Sequence, residues 1–350
     1  MSISGTFNTL TTPRDLMAAV EQFHEPQTWF LNTFFREVQL HSTRHVEIHH
    51  SDEDRTLAPF ISRSGTGQEV DKKGFEPFLW EPPYMKPRVT IEPRDLQEIA
   101  IGENAYMQQN TNKKLIRFRN EQLLKLNRMI ERREELMAIQ AVYDKSILIV
   151  DENNVEIASP INFVRESELE SGVTTAWATS ATATPIGDID TKIELITKHT
   201  GLSSDIVVLG TTSANELVKT SEFKDYASTS IFDVATLETQ RSAQQMGLRL
   251  ITEIGGLNYY RYDAWYKHPT TGVITAMIPA NKCLIASTGG KQVRHYGAIE
   301  IMVGNQKAKR FTKFYDDTDK DPESFGLQMH SAPLPAMHQP NAFAILTTDA

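Results

Sequence analysis

The chain holds a single cysteine, Cys283, among its 350 residues. One thiol permits no intrachain disulfide, so folding in a reducing compartment is expected. The strand-like run KCLIAS around Cys283 marks it as a small buried hydrophobe. No run of about 18 apolar residues occurs, so no membrane-spanning helix is expected. The opening residues MSISGTFNTL lack the basic region and apolar stretch of a secretory signal. Net positive charge is missing too: the formal charge is −9 at pH 7, which excludes tight nucleic-acid binding by the whole surface.

Catalytic signatures are equally absent. There is no GxSxG nucleophile elbow and no HExxH helix. GTGQEV at 65–70 places Val70 where a dinucleotide fingerprint needs a small residue. STGGKQ at 287–292 has Gln292 where a phosphate loop needs Ser or Thr, and Ile285 where it needs its first Gly. Both read as turns. His45, Glu47 and His49 alternate in RHVEIHH and would share one strand face, but their spacing fits no zinc pattern. No cofactor, metal or catalytic residue is therefore expected.

What is present is architectural. From about Lys114 to Tyr143 the chain runs roughly eight helical turns without Pro or Gly. Ile116, Leu123, Leu126, Ile130 and Met137 recur at helical spacing and mark one buried stripe. Lys113, Lys114, Arg117, Arg119, Lys125, Arg128, Arg132 and Arg133 make its first two thirds basic against only Glu121 and Glu131. The bland reading is a solvated face; the functional one is loose contact with phosphates, without sequence readout. A hairpin signal, SILIVDENNVEIASPINF, follows at once.

Upstream, Thr12, Pro13 and Asp15 predict a short helix over 12–23, followed by the aromatic cluster Trp29, Phe30, Phe34 and Phe35, which reads equally as core or as a docking patch against another subunit. From about His41 to Pro93, six prolines and strand-like pieces describe an extended hairpin without a core of its own. Its large side chains, Phe75, Phe78, Trp80 and Tyr84, predict contacts with a neighbouring subunit.

Downstream, SGVTTAWATSATATPIGD reads as a linker. An α/β pattern then begins. Asp188 is expected to cap a helix ending at Gly201, DIVVLG to form a buried strand, and Ser213 with Glu216 to form a capping box. Asp233 is expected to cap a further helix, and strands follow around a Gly255-Gly256 turn, in VITAMIP and in KCLIAS. GAIEIMVGN and the last residues read as strands returning to the long-helix body.

Four short motifs fall in order along this frame: FFRE at Phe34–Glu37, PPYMKP at Pro82–Pro87, RHYG at Arg294–Gly297 and HSAPL at His330–Leu334. With the long helix in place, the chain resembles the major capsid proteins of tailed phages, and most closely the phage lambda major capsid protein (E) family. The resemblance spans nearly the whole length. It implies an α+β fold, the Hong Kong 97-like capsid fold. Its parts would be an N-terminal arm (1–38), an extended loop (39–90), a peripheral domain with a long spine helix (91–170), an axial domain (171–297) and a return to the peripheral domain (298–350).

By the same resemblance, copies form hexamers and pentamers of an icosahedral head around double-stranded DNA, in virions assembled in the host bacterial cytoplasm. Trp29, Phe30, Phe34 and Phe35 would pack the arm between subunits. Arg117, Arg119, Lys125, Arg128 and Arg132 would face the DNA. A portal is implied. A separate scaffold protein is expected, since only about thirty residues precede FFRE. Relatives that lock by a Lys–Asn bond would use Lys72, Lys73 or Lys86 with Asn341; non-covalent locking by a decoration protein is preferred. The alternatives are an encapsulin-type shell around protein cargo and a cytosolic enzyme using Asp188 to Thr288.

Overall fold

A computed structural model describes residues 28–50, 76–97, 111–151, 153, 155–229, 248–268, 270–302, 306–317, 319 and 323–349. Two short helices, α1 (Trp29–Thr33) and α2 (Pro93–Gln97), precede α3 (Thr111–Asp144), 34 residues and roughly 50 Å long. Four of the five stripe residues, Leu123, Leu126, Ile130 and Met137, are buried; Ile116 is half-buried, and the buried residue there is Leu115. Beyond Met137 the helix stops being amphipathic. Ala138, Ile139, Ala141, Val142 and Tyr143 are all buried, so its last turns are enclosed on every side.

Two sheets cover α3. Strands β4 (Arg88–Ile91), β16 (Ser324–His330) and β15 (Phe311–Asp317) pair antiparallel. Ile91, Leu327 and Met329 from this sheet meet Leu123, Leu126 and Ile130. In the second sheet, β1 (Glu37–Leu40) runs parallel to β14 (Gln292–Tyr296), which pairs antiparallel with β17 (Pro333–Met337). Leu334, Ala336 and Met337 of β17 join the same cluster as the end of α3.

Downstream, a six-stranded sheet runs in the order β7 (Glu170–Gly172), β18 (Phe343–Thr347), β13 (Lys282–Ala286), β8 (Ile206–Leu209), β10 (Leu257–Tyr262), β9 (Leu248–Ile254). Helices α4 (Pro185–Thr200), α5 (Thr211–Leu217) and α6 (Ser221–Thr229) accompany it. Successive residues of a strand point to opposite faces. Thus Val207, Leu209, Cys283, Ile285, Ala344 and Leu346 enter one core, while Val208, Leu284, Ala286, Phe343 and Ile345 enter the core shared with α3. Apolar burial on both faces explains why DIVVLG and KCLIAS read as unbroken apolar runs.

Three hairpins complete the described chain: β2 (Val46–His50) with β3 (Glu76–Trp80), β5 (Ser146–Val150) with β6 (Glu156–Asn162), and β11 (Trp265–Lys267) with β12 (Ile274–Ala276). The first is the base of the predicted extended hairpin. Its remainder, with Phe75, lies outside the described residues, as do the helices expected over 12–23 and after Asp233.

Several expectations are corrected. The segment read as a linker is anchored: Gly172 pairs in β7, Val173 is buried, and Trp177 is fully buried with its indole N–H donating to Asp188 Oδ2 at 3.0 Å. Asp188 therefore sits in the first turn of α4 as an acceptor for Trp177, not as its cap. Small polar composition hid one anchoring ring. Ser213 is likewise inside α5, buried, and bonded to Thr348 at 3.0 Å; Gly210 holds the cap position. GAIEIMVGN forms no strand among its described residues. The end of the chain divides: β15, β16 and β17 return to α3, whereas β18 inserts between β13 and β7, where its alternate residues fill both cores.

Gly210 sits where a side chain has no room. A Cβ there would lie 2.3 Å from the Pro279 carbonyl oxygen and 2.5 Å from that of Ala280. Both are backbone atoms, so relief requires moving the chain that enters β13. Gly210→Ala is expected to cost about 2–3 kcal/mol, read as a lower denaturant midpoint. Gly187→Ala, within α4 and no closer than 3.8 Å to another atom, is the control and should raise the midpoint.

Candidate assembly surfaces and the joints behind them

The enclosed half of α3 carries three carboxylates that are almost fully buried, Glu131, Glu134 and Glu135. Glu131 accepts from Asn127 Nδ2 at 2.7 Å and from Arg310 Nη1 at 2.8 Å. Glu134 Oε2 accepts from Arg310 Nη2 and from the Tyr296 hydroxyl, each at 3.2 Å. Arg310 also donates to Asn127 Oδ1. Burial works against the Arg310 charge, but the carboxylates of Glu134 and Glu131 outweigh it and hold its pKa above the usual arginine value.

Glu135 ties in the start of the described chain. Its two carboxylate oxygens accept from Phe30 N at 2.8 Å and Leu31 N at 3.1 Å, and Tyr262 OH donates to it at 2.9 Å. The first turn of α1, which has no side-chain cap of its own, is capped from α3. Burial pushes the Glu135 pKa up, and these three donors pull it partly back.

This attachment changes the reading of the aromatic cluster. Phe30, Phe34 and Phe35 are buried within this chain, not offered to a neighbour. Phe34 meets Phe343 edge-on at 5.3 Å, and Phe30 meets Tyr262 at 5.4 Å. Trp29 is half-buried beside Tyr260 and Tyr262. A helix of five residues that places its rings on one body needs no second subunit to cover them.

At the base of the loop hairpin, Phe78 and Trp80 stack at 5.7 Å, and Trp80 meets Phe163 edge-on at 5.1 Å. Together with Ile48, Val164 and Asn341 they line a cleft. Asn341 is engaged there as acceptor for Glu166 N at 3.0 Å. Tyr84 is also used internally, bonding His330 Nδ1 at 2.8 Å and accepting from Glu300 N at 3.2 Å. The residue on the outward face of β3 is Leu79, 65% exposed, which the sequence reading passed over. Strand alternation in EPFLW points to it: once Phe78 and Trp80 face the body, Leu79 must face away. The β5–β6 hairpin and the segment after it expose Leu148, Val155, Ile157 and Val164 in the same manner.

Along α3 the expected basic face is narrower. Lys125, Arg128 and Arg132 are exposed at steps of three and four, one side of the helix. Arg119 is only 7% exposed, so its guanidinium turns into the molecule and does not belong to that face. The side chain of Arg117 is outside the described residues. Of the alternating His45, Glu47 and His49, Glu47 is exposed on β2 and His45 is exposed just before it; the side chain of His49 is outside the described residues.

Glu135 gives a test of these joints. Glu135→Ala leaves three buried donors without their acceptor, and a loss of about 2–4 kcal/mol is expected by chemical denaturation. A carboxyl whose pKa is raised by folding binds its proton more tightly in the folded state. Stability therefore falls as pH rises from the ordinary 4.5 through the folded value, then levels off. The difference between wild type and Glu135→Gln should show this decline.

Comparison with known proteins agrees with this architecture. A family model described as phage major capsid protein E matches residues 12–348. The chain is 22% identical over 352 residues to the P21 prophage-derived major head protein of Escherichia coli O6:H1 (strain CFT073), covering 96% of this chain and 98% of the relative. The same figures hold for the major capsid protein of Enterobacteria phage P21. A crystal structure described as the capsid protein of an E. coli CFT073 prophage superposes with a TM-score of 0.70 at 19% identity, over 96% of this chain and 98% of that one. A phage-related protein from Bordetella bronchiseptica RB50 gives 0.53 at 10% identity, over 97% of each. The fold is the α+β, Hong Kong 97-like capsid fold. The chain belongs to the phage major capsid protein E family, and its role is that of a structural subunit of the phage head shell.

Proposed function

We propose that copies of this chain gather as hexamers and pentamers and close into an icosahedral head around double-stranded DNA, in the cytoplasm of the host bacterium. The observation that carries this reading is the apolar surface left on two projecting hairpins. Leu79 on the loop hairpin is 65% exposed; Val155 and Ile157 on the β5–β6 hairpin are 61% and 68% exposed. Each hairpin already lies on this chain's own core by one face, through Val46, Ile48 and Trp80 or through Ile147 and Ile161. Scattered exposed apolar residues are ordinary, but a row of them on the free face of a strand pair offers itself to a second copy. In this reading α3 is the spine of the peripheral body, the six-stranded sheet with α4 to α6 is the axial body, and the hairpin at 46–80 reaches a neighbour. A scaffold protein, a decoration protein at three-fold positions and a portal are the further partners such a shell implies.

The exposed row Lys125, Arg128 and Arg132 supports loose contact with DNA phosphates, while the net charge of −9 keeps the remaining surface from holding DNA tightly.

Two measurements test this. Leu79→Lys places an ammonium opposite Glu47 across the hairpin and should leave monomer stability within about 0.5 kcal/mol. The yield of closed shells, expressed with the neighbouring virion genes and counted by light scattering and negative-stain microscopy, should drop several-fold. Unchanged yield would remove the loop hairpin from the interface. Neutralising Lys125, Arg128 and Arg132 together to Gln should leave shells intact and reduce retained, nuclease-resistant DNA. Equal DNA content would take this face away from the packaged genome.

A further inference from the structure

We infer that the two limbs leaving the body at His41 and returning at Tyr84 are held at their roots by buried imidazoles that must remain uncharged, and that mild acid loosens both roots. At the outgoing root, just past β1, His41 Nε2 meets His295 Nδ1 at 2.9 Å, and His295 Nε2 meets His338 Nε2 at 3.0 Å. Three rings from three neighbouring strands thus form one hydrogen-bonded row. At the returning root, Tyr84 OH meets His330 Nδ1 at 2.8 Å, beside the backbone bridge between Met85 and Ser331. His295 and His330 are 2% and 3% exposed. Each belongs to the body, and each grips one limb of the same segment.

The chemistry of the row sets its proton count. Each ring-to-ring contact needs one N–H and one bare nitrogen. Neutral rings satisfy both contacts with the N–H groups pointing one way along the row. When both His41 and His338 are cations, every nitrogen facing His295 carries a hydrogen, and neutral His295 has only one bare nitrogen. One contact then sets N–H against N–H. Protonating His295 instead places a cation in a buried site. At the returning root a neutral His330 leaves its unpartnered Nε2 bare by donating Nδ1–H to Tyr84, whereas an imidazolium must bury an Nε2–H with no acceptor.

The charged neighbours act in the same direction at both ends. Lys307 faces His41; His295 sees only the other two rings. Lys86 from the returning limb and Lys313 from β15 face His330, and Glu300 alone opposes them. Further out, an exposed ion pair between Arg44 and Glu81 spans the two limbs.

Burial first, then the adjacent rings, lowers His295 to about 3; burial, then Lys86 and Lys313, lowers His330 to about 4. A histidine lowered in the attached state and ordinary in the released state favours release as pH falls below 6.5. The shift is about tenfold per pH unit for each ring, continuing until its lowered value is reached. Glu135 has the opposite sign, so the α1 joint tightens over acid conditions that loosen the loop. This concerns joints within one chain and stands whatever that chain builds.

The test is backbone hydrogen exchange of the full chain from pH 7.5 to 4.5, corrected for intrinsic rate. Peptides covering 41–48 and 78–85 should lose protection as pH falls from 6.5, by up to about 100-fold per histidine at pH 4.5, while peptides from β8 and β13 keep theirs. His295→Gln with His330→Gln supplies amides that bond without titrating, and the roots should then stay protected. Roots that open only together with β8 and β13, or at the same pH in the double variant, would overturn the inference. If the double variant does not fold, deuteration of imidazole carbon-bound hydrogens in the wild-type chain decides. His295 and His330 should titrate well below the ordinary imidazole value of 6.5; ordinary titration with the roots still protected would sink the idea.

Discussion

A row of carboxylates on the buried side of one helix fixes where the rest of the described chain can stand. The apolar stripe of α3 would tolerate a slide of one turn, about 5.4 Å, because Leu, Ile and Met replace one another with little loss. The charges would not. Moving the helix by a turn would strand Glu134 away from Arg310 and Tyr296, and Glu135 away from Phe30 and Leu31, each at the full cost of an unpaired buried charge. Apolar burial holds the helix in the body; the polar seam fixes its register there. Through that seam, α1, β10, β14 and the segment before β15 all take their positions from one helix.

The six-stranded sheet is the second constraint. It is a wall common to two cores, and β8, β13 and β18 are apolar and buried on both faces. Val207 and Val208, one residue apart, belong to different clusters, as do Cys283 and Leu284. A shift of one residue in any strand would exchange its side chains between cores of different shape, so the register is enforced from both sides. The two bodies therefore share their packing through this sheet and do not hang on a flexible connection.

Much of this was legible because it is periodic. The stripe of α3, the hairpin at its end, the buried strands and the turn at Gly255-Gly256 all announce themselves by local spacing. What the sequence concealed depends on partners far along the chain. Trp177 looks like one ring in a polar stretch until Asp188 and the end of β18 close around it. Arg119 and Lys125 are both basic residues on one helix, yet one is buried and the other exposed, which their spacing in the sequence does not announce. Phe30, Phe34 and Phe35 were read as a patch for a neighbour because their true cover, Glu135, Tyr262 and Phe343, is remote in sequence. Leu79 was overshadowed by the larger rings beside it.

The position of β18 has a consequence for the order of events during synthesis. Residues 343–347 occupy the second place in the sheet and contribute apolar side chains to both cores. Until they leave the ribosome, β13 presents an open edge and β7 has nothing to pair with. A nascent chain can form α3 and its hairpins early, but it cannot become a finished building block before its final strand emerges. A chain interrupted upstream carries an unpaired edge and two incomplete cores, so it is soft, exposed to host proteases and poorly shaped for a closed lattice. Where identical copies must fit together in a head shell, a fold that needs β18 in both of its cores screens out translation products interrupted before it.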